Sequence, residues 1–231
     1  MKLLLASKSP RRRELLQGLG IPFEVMSIPG VDESYPFTLP ASQVAEYIAR
    51  KKAAAYCDFF RQQTSVLPQS EEGAGRDESL VLLTADTVVV CDGDVLGKPH
   101  DEQDAFAMLR KLSGKTHQVY TGYCLTPLAV PHAKVYGGSV CTDVTFKNLT
   151  DEEISHYIKT YKPFDKAGAY GIQEWIGYIG ITGIHGSYYN VMGLPVQRIY
   201  EDIRKMQNAE CKIQNSELIH NAEFIIKMRN A

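Results

Sequence analysis

A short apolar run, Lys2-Leu3-Leu4-Leu5-Ala6, breaks directly into Ser7-Lys8-Ser9-Pro10-Arg11-Arg12-Arg13-Glu14. The run reads as a buried strand. Pro10 suits the first position of a helix, and Ser7 or Ser9 suits its cap. A strand passing straight into a helix start constrains the chain to a layered α/β arrangement. It also gathers free backbone N–H groups, two hydroxyls and three guanidinium groups at one helix N-terminus, a place that attracts phosphate. Two readings stand. The segment is an ordinary capped helix with a solvated basic first turn, or an anion reconciles the basic residues with the helix dipole that they oppose.

The rest of the chain repeats the alternation. Phe23 to Ser27 reads as a second strand and Pro29 to Pro40 as a loop carrying Asp32 and Glu33. Ala41 to Asp58 reads as a helix with Val44, Tyr47 and Ile48 on its apolar side and Lys52 one turn further along. Gln62 to Ser79 is rich in Ser, Gln, Glu and Gly and reads as a surface insertion. Leu80 to Ala85 is apolar throughout, the mark of a strand covered on both faces, and it ends at Asp86-Thr87. Asp92-Gly93 signals a hairpin. Asp101 to Leu112 is a helix with a stripe of Ala105, Met108, Leu109 and Leu112. His117 to Thr126 and Lys134 to Phe146 form an extended pair. Thr150 to Thr160 is a helix by its capping residues. Tyr178 to Ile184 reads as a strand, Leu194 to Met206 as a helix, and the stretch from Glu217 as weakly amphipathic. Fold class is therefore α/β or mixed.

At 231 residues the chain suits one large domain or two small lobes. A net charge of −2 argues against a general nucleic-acid binder. Its five cysteines are widely spaced with no CxxC pair, against a disulfide framework or zinc knuckle and in favour of a reducing, cytoplasmic setting. Lys2 to Ala6 is too short for a signal-peptide core. No stretch approaches the ~20 apolar residues of a membrane span.

Three further places carry chemistry. Asp86 follows a buried strand, where α/β sheets bind ligands. A carboxylate there is a base, a metal ligand or a structural turn cap. Lys98, in Gly97-Lys98-Pro99, is a phosphate contact or a solvated lysine; a P-loop is rejected because Pro99 stands where Ser or Thr belongs. Phe164 to Gln173 alternates small and polar residues. It suits close backbone approach to a ligand, with Gln173 able to read a nucleobase edge, or it is a tight loop turned by its glycines.

Six segments in this order resemble the Maf family of nucleotide pyrophosphatases, related to the inosine triphosphatase group. They are Ala6 to Arg12; Ala85-Asp86-Thr87; Gly97-Lys98-Pro99; Leu112-Ser113-Gly114 with His117 and Thr121-Gly122; Asp165 to Gln173; and Asn190 to Pro195. The likeness covers about residues 2 to 205, and the Tyr170 and Gln173 form looks like the branch that hydrolyses dTTP and UTP. The resemblance implies a two-lobed α/β fold, a mixed twisted sheet flanked by helices around a central cleft. The domain would span 1–208, with the insertion at 62–79 and a C-terminal extension at 209–231. It also implies cleavage between the α and β phosphates of a nucleoside triphosphate, a divalent cation (Mg²⁺ or Mn²⁺), and a homodimer. Asp86 matches the family's proton acceptor. Arg11, Thr87 and Gln173 match positions tied to substrate choice. Ser7, Ser9, Arg12, Glu33, Lys52, Lys98 and Lys166 match the polar lining, with Asp86 and Glu33 as metal ligands. Glu174 stands where glycine is common. The alternative is a nucleotide-binding regulator of cell division without turnover.

Overall fold

Leu3 to Leu5 are fully or almost fully buried because β1 (Lys2–Ala6) lies inside a sheet, flanked by parallel partners on both edges. The computed structural model describes residues 1–66, 80–128 and 134–209. The strands β1, β2 (Phe23–Met26), β3 (Leu80–Cys91), β4 (Asp94–Leu96), β5 (Thr116–Pro127), β6 (Tyr136–Phe146) and β7 (Ile181–His185) form one sheet. Their order is β2-β1-β3-β5-β6-β7, with β4 attached to β3. Only the β1 pairings are parallel; the others are antiparallel hairpins and neighbours. Asp92 and Gly93 turn the β3–β4 hairpin with φ of 53° and 86°, the left-handed pair that a tight hairpin needs.

Helices cover both faces. On one, α1 (Pro10–Gly18), α3 (Glu102–Leu112), α4 (Asp151–Tyr161) and α7 (196–209) pack Leu16, Leu109, Ile154 and Ile203 against Leu3, Leu5, Leu83 and Ala85. On the other, α2 (Ala41–Val66) seats Val44, Ala45 and Ile48 on Val88 and Val90, and Ala53 and Tyr56 on Leu4 and Leu82. The expected strand covered on both faces is thus present in β3. Tyr47, placed on the apolar side of α2 from its spacing, is 37 % exposed; Ala45 and Ala49 hold that side instead, because small residues let the helix lie close.

That closeness is set by Gly122. A methyl group there would stand 2.2 to 2.4 Å from backbone atoms of Ala45 and Glu46. Thr84 Oγ1 donates to Ala49 O at 2.7 Å, locking the same seat.

Other expectations are corrected. Helix α2 does not stop at Asp58 but runs to Val66, into the expected insertion; residues 67–79 lie outside the described ones, as does the stretch from Glu217. Tyr178 is not in a strand. Trp175–Gly180 forms α5, and β7 begins at Ile181. Gly177 permits that turn, since a Cβ there would meet Ile172 O at 2.0 Å. The helix expected from Leu194 begins at 196. The short helix α6 (Tyr188–Met192) ends at Gly193, whose φ of 114° favours glycine.

Candidate active site

Strand β3 does not end at Asp86. It runs unbroken from Leu80 to Cys91, and a change of neighbour makes the site. On one edge β3 pairs with β1 only through Leu83, and β4 joins that edge only from Val89. Residues 84 to 88 therefore have no strand on that side, while the opposite edge stays paired with β5. A cleft of about 590 Å³ opens at this gap. It is bounded by the start of α1, the loop after β2, Lys52 of α2, Lys98 and the 165–172 loop.

Asp86 and Lys52 meet because both lie between the sheet and α2, one short step beyond the Thr84–Ala49 lock. Lys52 Nζ donates to Asp86 Oδ1 at 2.7 Å, and the two side chains are only 12 % and 14 % exposed. The same ammonium is 2.9 Å from Glu33 Oε1. Asp86 Oδ2 takes no hydrogen bond among the described residues, and Asp86 lines the cleft. Burial raises the Glu33 pKa, but the Lys52 hydrogen bond and charge, with Lys98 and Arg12 beyond, hold it below the ordinary value.

Helix α1 starts as its residues demand. Pro10 opens it, Ser9 Oγ accepts from Arg12 N at 3.4 Å, and Ser7 Oγ accepts from Ser9 N at 3.1 Å. The three arginines do not converge. Arg11 and Arg12 line the cleft, whereas Arg13 borders a separate shallow groove with Gln17 and Phe23.

Arg12 works chiefly on the framework. It donates through Nε to Gly193 O at 2.8 Å, through Nη1 to Ala85 O at 2.8 Å and through Nη2 to Thr87 Oγ1 at 3.1 Å. It thereby satisfies the exposed edge of β3 and the end of α6 together, and two of its five N–H groups remain for a ligand. Burial lowers its pKa, a shift the Asp86 charge opposes.

Thr87 Oγ1 also meets Thr121 Oγ1 at 2.9 Å, and Thr121 Oγ1 donates to Asn190 O at 2.9 Å. With that proton spent on Asn190, Thr87 must donate to Thr121 and accept from Arg12. The Thr87 hydroxyl is therefore oriented by the framework before any ligand arrives.

The opposite wall is the 165–172 loop. Gly168 N donates to Gly97 O at 2.9 Å, fastening it to the Lys98 loop. Arg11 Nη1 reaches Asp165 Oδ2 at 3.4 Å, and Lys166 Nζ bonds Asp165 Oδ1 at 2.7 Å. Ser7, Ser9, Arg11, Arg12, Glu33, Lys52, Asp86, Thr87, Lys98 and Lys166 all line one cleft; Gln173 does not. The chain turns after Ile172 into α5, so Gln173 sits half-buried outside the lining. The sequence reading named no site role for Asp165 or Tyr56, which also line it. Asp165 was within reach, as a carboxylate beside Lys166 in a loop already singled out.

A family profile described as Maf-like protein matches residues 2–206, nearly the whole described chain. The chain belongs to the Maf family. Among Maf relatives, the "dTTP/UTP pyrophosphatase" of Phocaeicola vulgatus is 55% identical over 205 residues, covering 89% of this chain and 96% of that one. The protein of the same name from Bacteroides thetaiotaomicron is 48% identical, with the same coverage. That from Porphyromonas gingivalis is 48% identical over 88% of this chain and 93% of its own. A solved HAM1 protein from Coxiella burnetii aligns at 12% identity with a TM-score of 0.35, over 62% of this chain and 73% of that one.

The resemblance to Maf proteins implies a divalent cation. Among the described residues no group of three His, Cys, Asp or Glu converges on one point. The pair Asp86 and Glu33 does converge, on Lys52 Nζ. One or two carboxylates completed by other oxygen ligands is the usual Mg²⁺ arrangement, and these two side chains are of that donor type.

Proposed function

We propose that this Maf protein hydrolyses dTTP and UTP between the α and β phosphates, giving the nucleoside monophosphate and pyrophosphate. The observation that carries this reading is the pairing of Asp86 with Lys52 at the unpaired edge of β3, in a cleft whose walls carry Arg11, Arg12, Lys98 and Lys166. Relatives of that printed activity align over nearly their whole length.

In the reaction a water attacks the α phosphorus, the α–β anhydride bond breaks, and pyrophosphate leaves with the bonding electrons. Asp86 accepts the water's proton through the oxygen that Lys52 leaves open. Lys52, Lys98, Lys166 and the spare N–H groups of Arg12 face the charge that develops on the phosphates. Asp86 and Glu33 would hold a divalent cation, which supplies further charge neutralisation when bound. Ser7 and Ser9 shape the helix start on which a phosphate rests.

We place the domain at 1–208 with 209–231 as an extension, and propose a homodimer in the cytoplasm. The described cysteines, Cys57, Cys91, Cys124 and Cys141, are all free, which suits a reducing compartment. Exposed Tyr178, Tyr188 and Tyr189 form the first surface to test for self-association. No helix among the described residues is long and apolar enough to cross a membrane.

The deciding experiment is pyrophosphate release from a panel of nucleoside triphosphates with Mg²⁺ or Mn²⁺. Release from dTTP and UTP ahead of purine nucleotides is expected. Binding without release from any nucleotide overturns the enzymatic reading.

A further inference from the structure

The Lys166 side chain is only 8 % exposed and lies between two carboxylates. Asp165 Oδ1 is 2.7 Å from its Nζ and Glu174 Oε1 is 3.0 Å away on another side. The two partners are not alike. The Asp165 side chain is 60 % exposed and shared at 3.4 Å with Arg11. Glu174 is held from behind: Tyr157 of α4 donates its phenol to Glu174 Oε2 and accepts Gly171 N–H at 3.0 Å. Glu174 precedes α5 as its N-cap residue, yet its side chain accepts nothing from that helix; it turns to Lys166 instead. Gly171 makes the seat, since a Cβ there would press to 2.9 Å on the Glu174 carboxyl carbon and 3.0 Å on Lys166 Cε.

We propose that Glu174 is a positioning residue that holds Lys166 in the cleft, while Asp165 stands between Arg11 and Lys166 as an anion that the substrate's phosphates displace. The proposal deepens the pyrophosphatase reading and rests on it for the identity of the anion. A lysine side chain loses rotamer freedom when it is fixed, so an anchor that survives the loss of Asp165 keeps the ammonium where the phosphate arrives. Glu174 adds negative charge near that phosphate, which opposes binding. Its two effects separate by substitution.

The test is calorimetric binding of inorganic tripolyphosphate, with pyrophosphate release from dTTP measured beside it. Glu174→Gln keeps an acceptor for Lys166 and lifts the charge, so tripolyphosphate binds as tightly as in the wild type or up to about threefold more tightly. Glu174→Ala removes the anchor, so binding weakens by about tenfold and KM for dTTP rises in step, with kcat within about twofold. In a Lys166→Ala background, Glu174→Ala brings no further weakening. Binding by Glu174→Ala as tight as the wild type, or additive losses in the double variant, overturns the proposal. If the wild type binds tripolyphosphate but hydrolyses no nucleotide, the enzymatic reading fails and the binding series still decides the role of Glu174.

Discussion

Asp86 and Thr87 are neighbours on one strand and do different work because alternate residues of a strand face opposite sides. Asp86 points to α2 and meets Lys52; Thr87 points to the other face and joins a hydrogen-bonded chain running from Arg12 through Thr121 to Asn190. The first arrangement leaves a carboxylate oxygen open to the cleft. The second orients a hydroxyl and an arginine with no ligand present. Asp86→Asn keeps an acceptor for Lys52 and removes the base, so kcat for dTTP is expected to fall by about 10²- to 10⁴-fold. Nucleotide affinity, read by calorimetry, stays within a few fold. Undiminished turnover would remove Asp86 from the chemistry.

At the scale of elements, the site depends on how closely α2 lies on the sheet. Gly122 pairs with Asp86 across the β3–β5 ladder, and α2 crosses above it with Ala45 and Glu46 almost touching. Any side chain at 122 lifts the helix and carries Lys52 away from Asp86. Gly122→Ala is therefore expected to destabilise the protein by about 1–3 kcal/mol, the usual range for overpacking, and to lower kcat/KM by about tenfold or more, since a displacement near 1 Å is worth up to ~10² in rate. Urea denaturation reads the first and pyrophosphate release the second. A stable variant with full activity would show that the helix seat is not what aligns the pair.

Over the whole molecule, acid sensitivity begins in the core behind the cleft wall. His117 is fully buried in β5, with Nε2 2.8 Å from Tyr170 Oη and its Nδ1 without a hydrogen-bond partner among the described residues. It packs beside Phe146 and Tyr170, and Tyr170 lines the cleft. Burial pushes its pKa from 6.5 down to about 4. Between these values the unfolded chain binds a proton that the folded chain refuses, so stability falls as pH falls from 6.5 towards 4. Over the full window this amounts to about 3 kcal/mol. Urea midpoints measured from pH 7 to pH 4 should show that loss, and His117→Gln should flatten it. An unchanged slope in the variant would place the acid-sensitive group elsewhere.

Much of this protein was written in its local patterns. A strand turning at Ser7 to Pro10 into a helix, the capping residues of α1, α3 and α4, the Asp92-Gly93 hairpin and the both-faces burial of Leu80 to Ala85 follow from periodicity and turn chemistry. These depend on residues a few positions apart. The same signals brought nearly every candidate to the cleft. The misread place was one where distant chain segments decide: the turn of Trp175–Gly180, set by contact with Ile172. Tertiary structure alone decided that the opening lies where β3 has lost β1 and not yet gained β4. It alone committed Arg12 to the framework and tied Lys166 to Glu174. Such facts belong to pairs of residues far apart in sequence, and no local propensity encodes a distance between them.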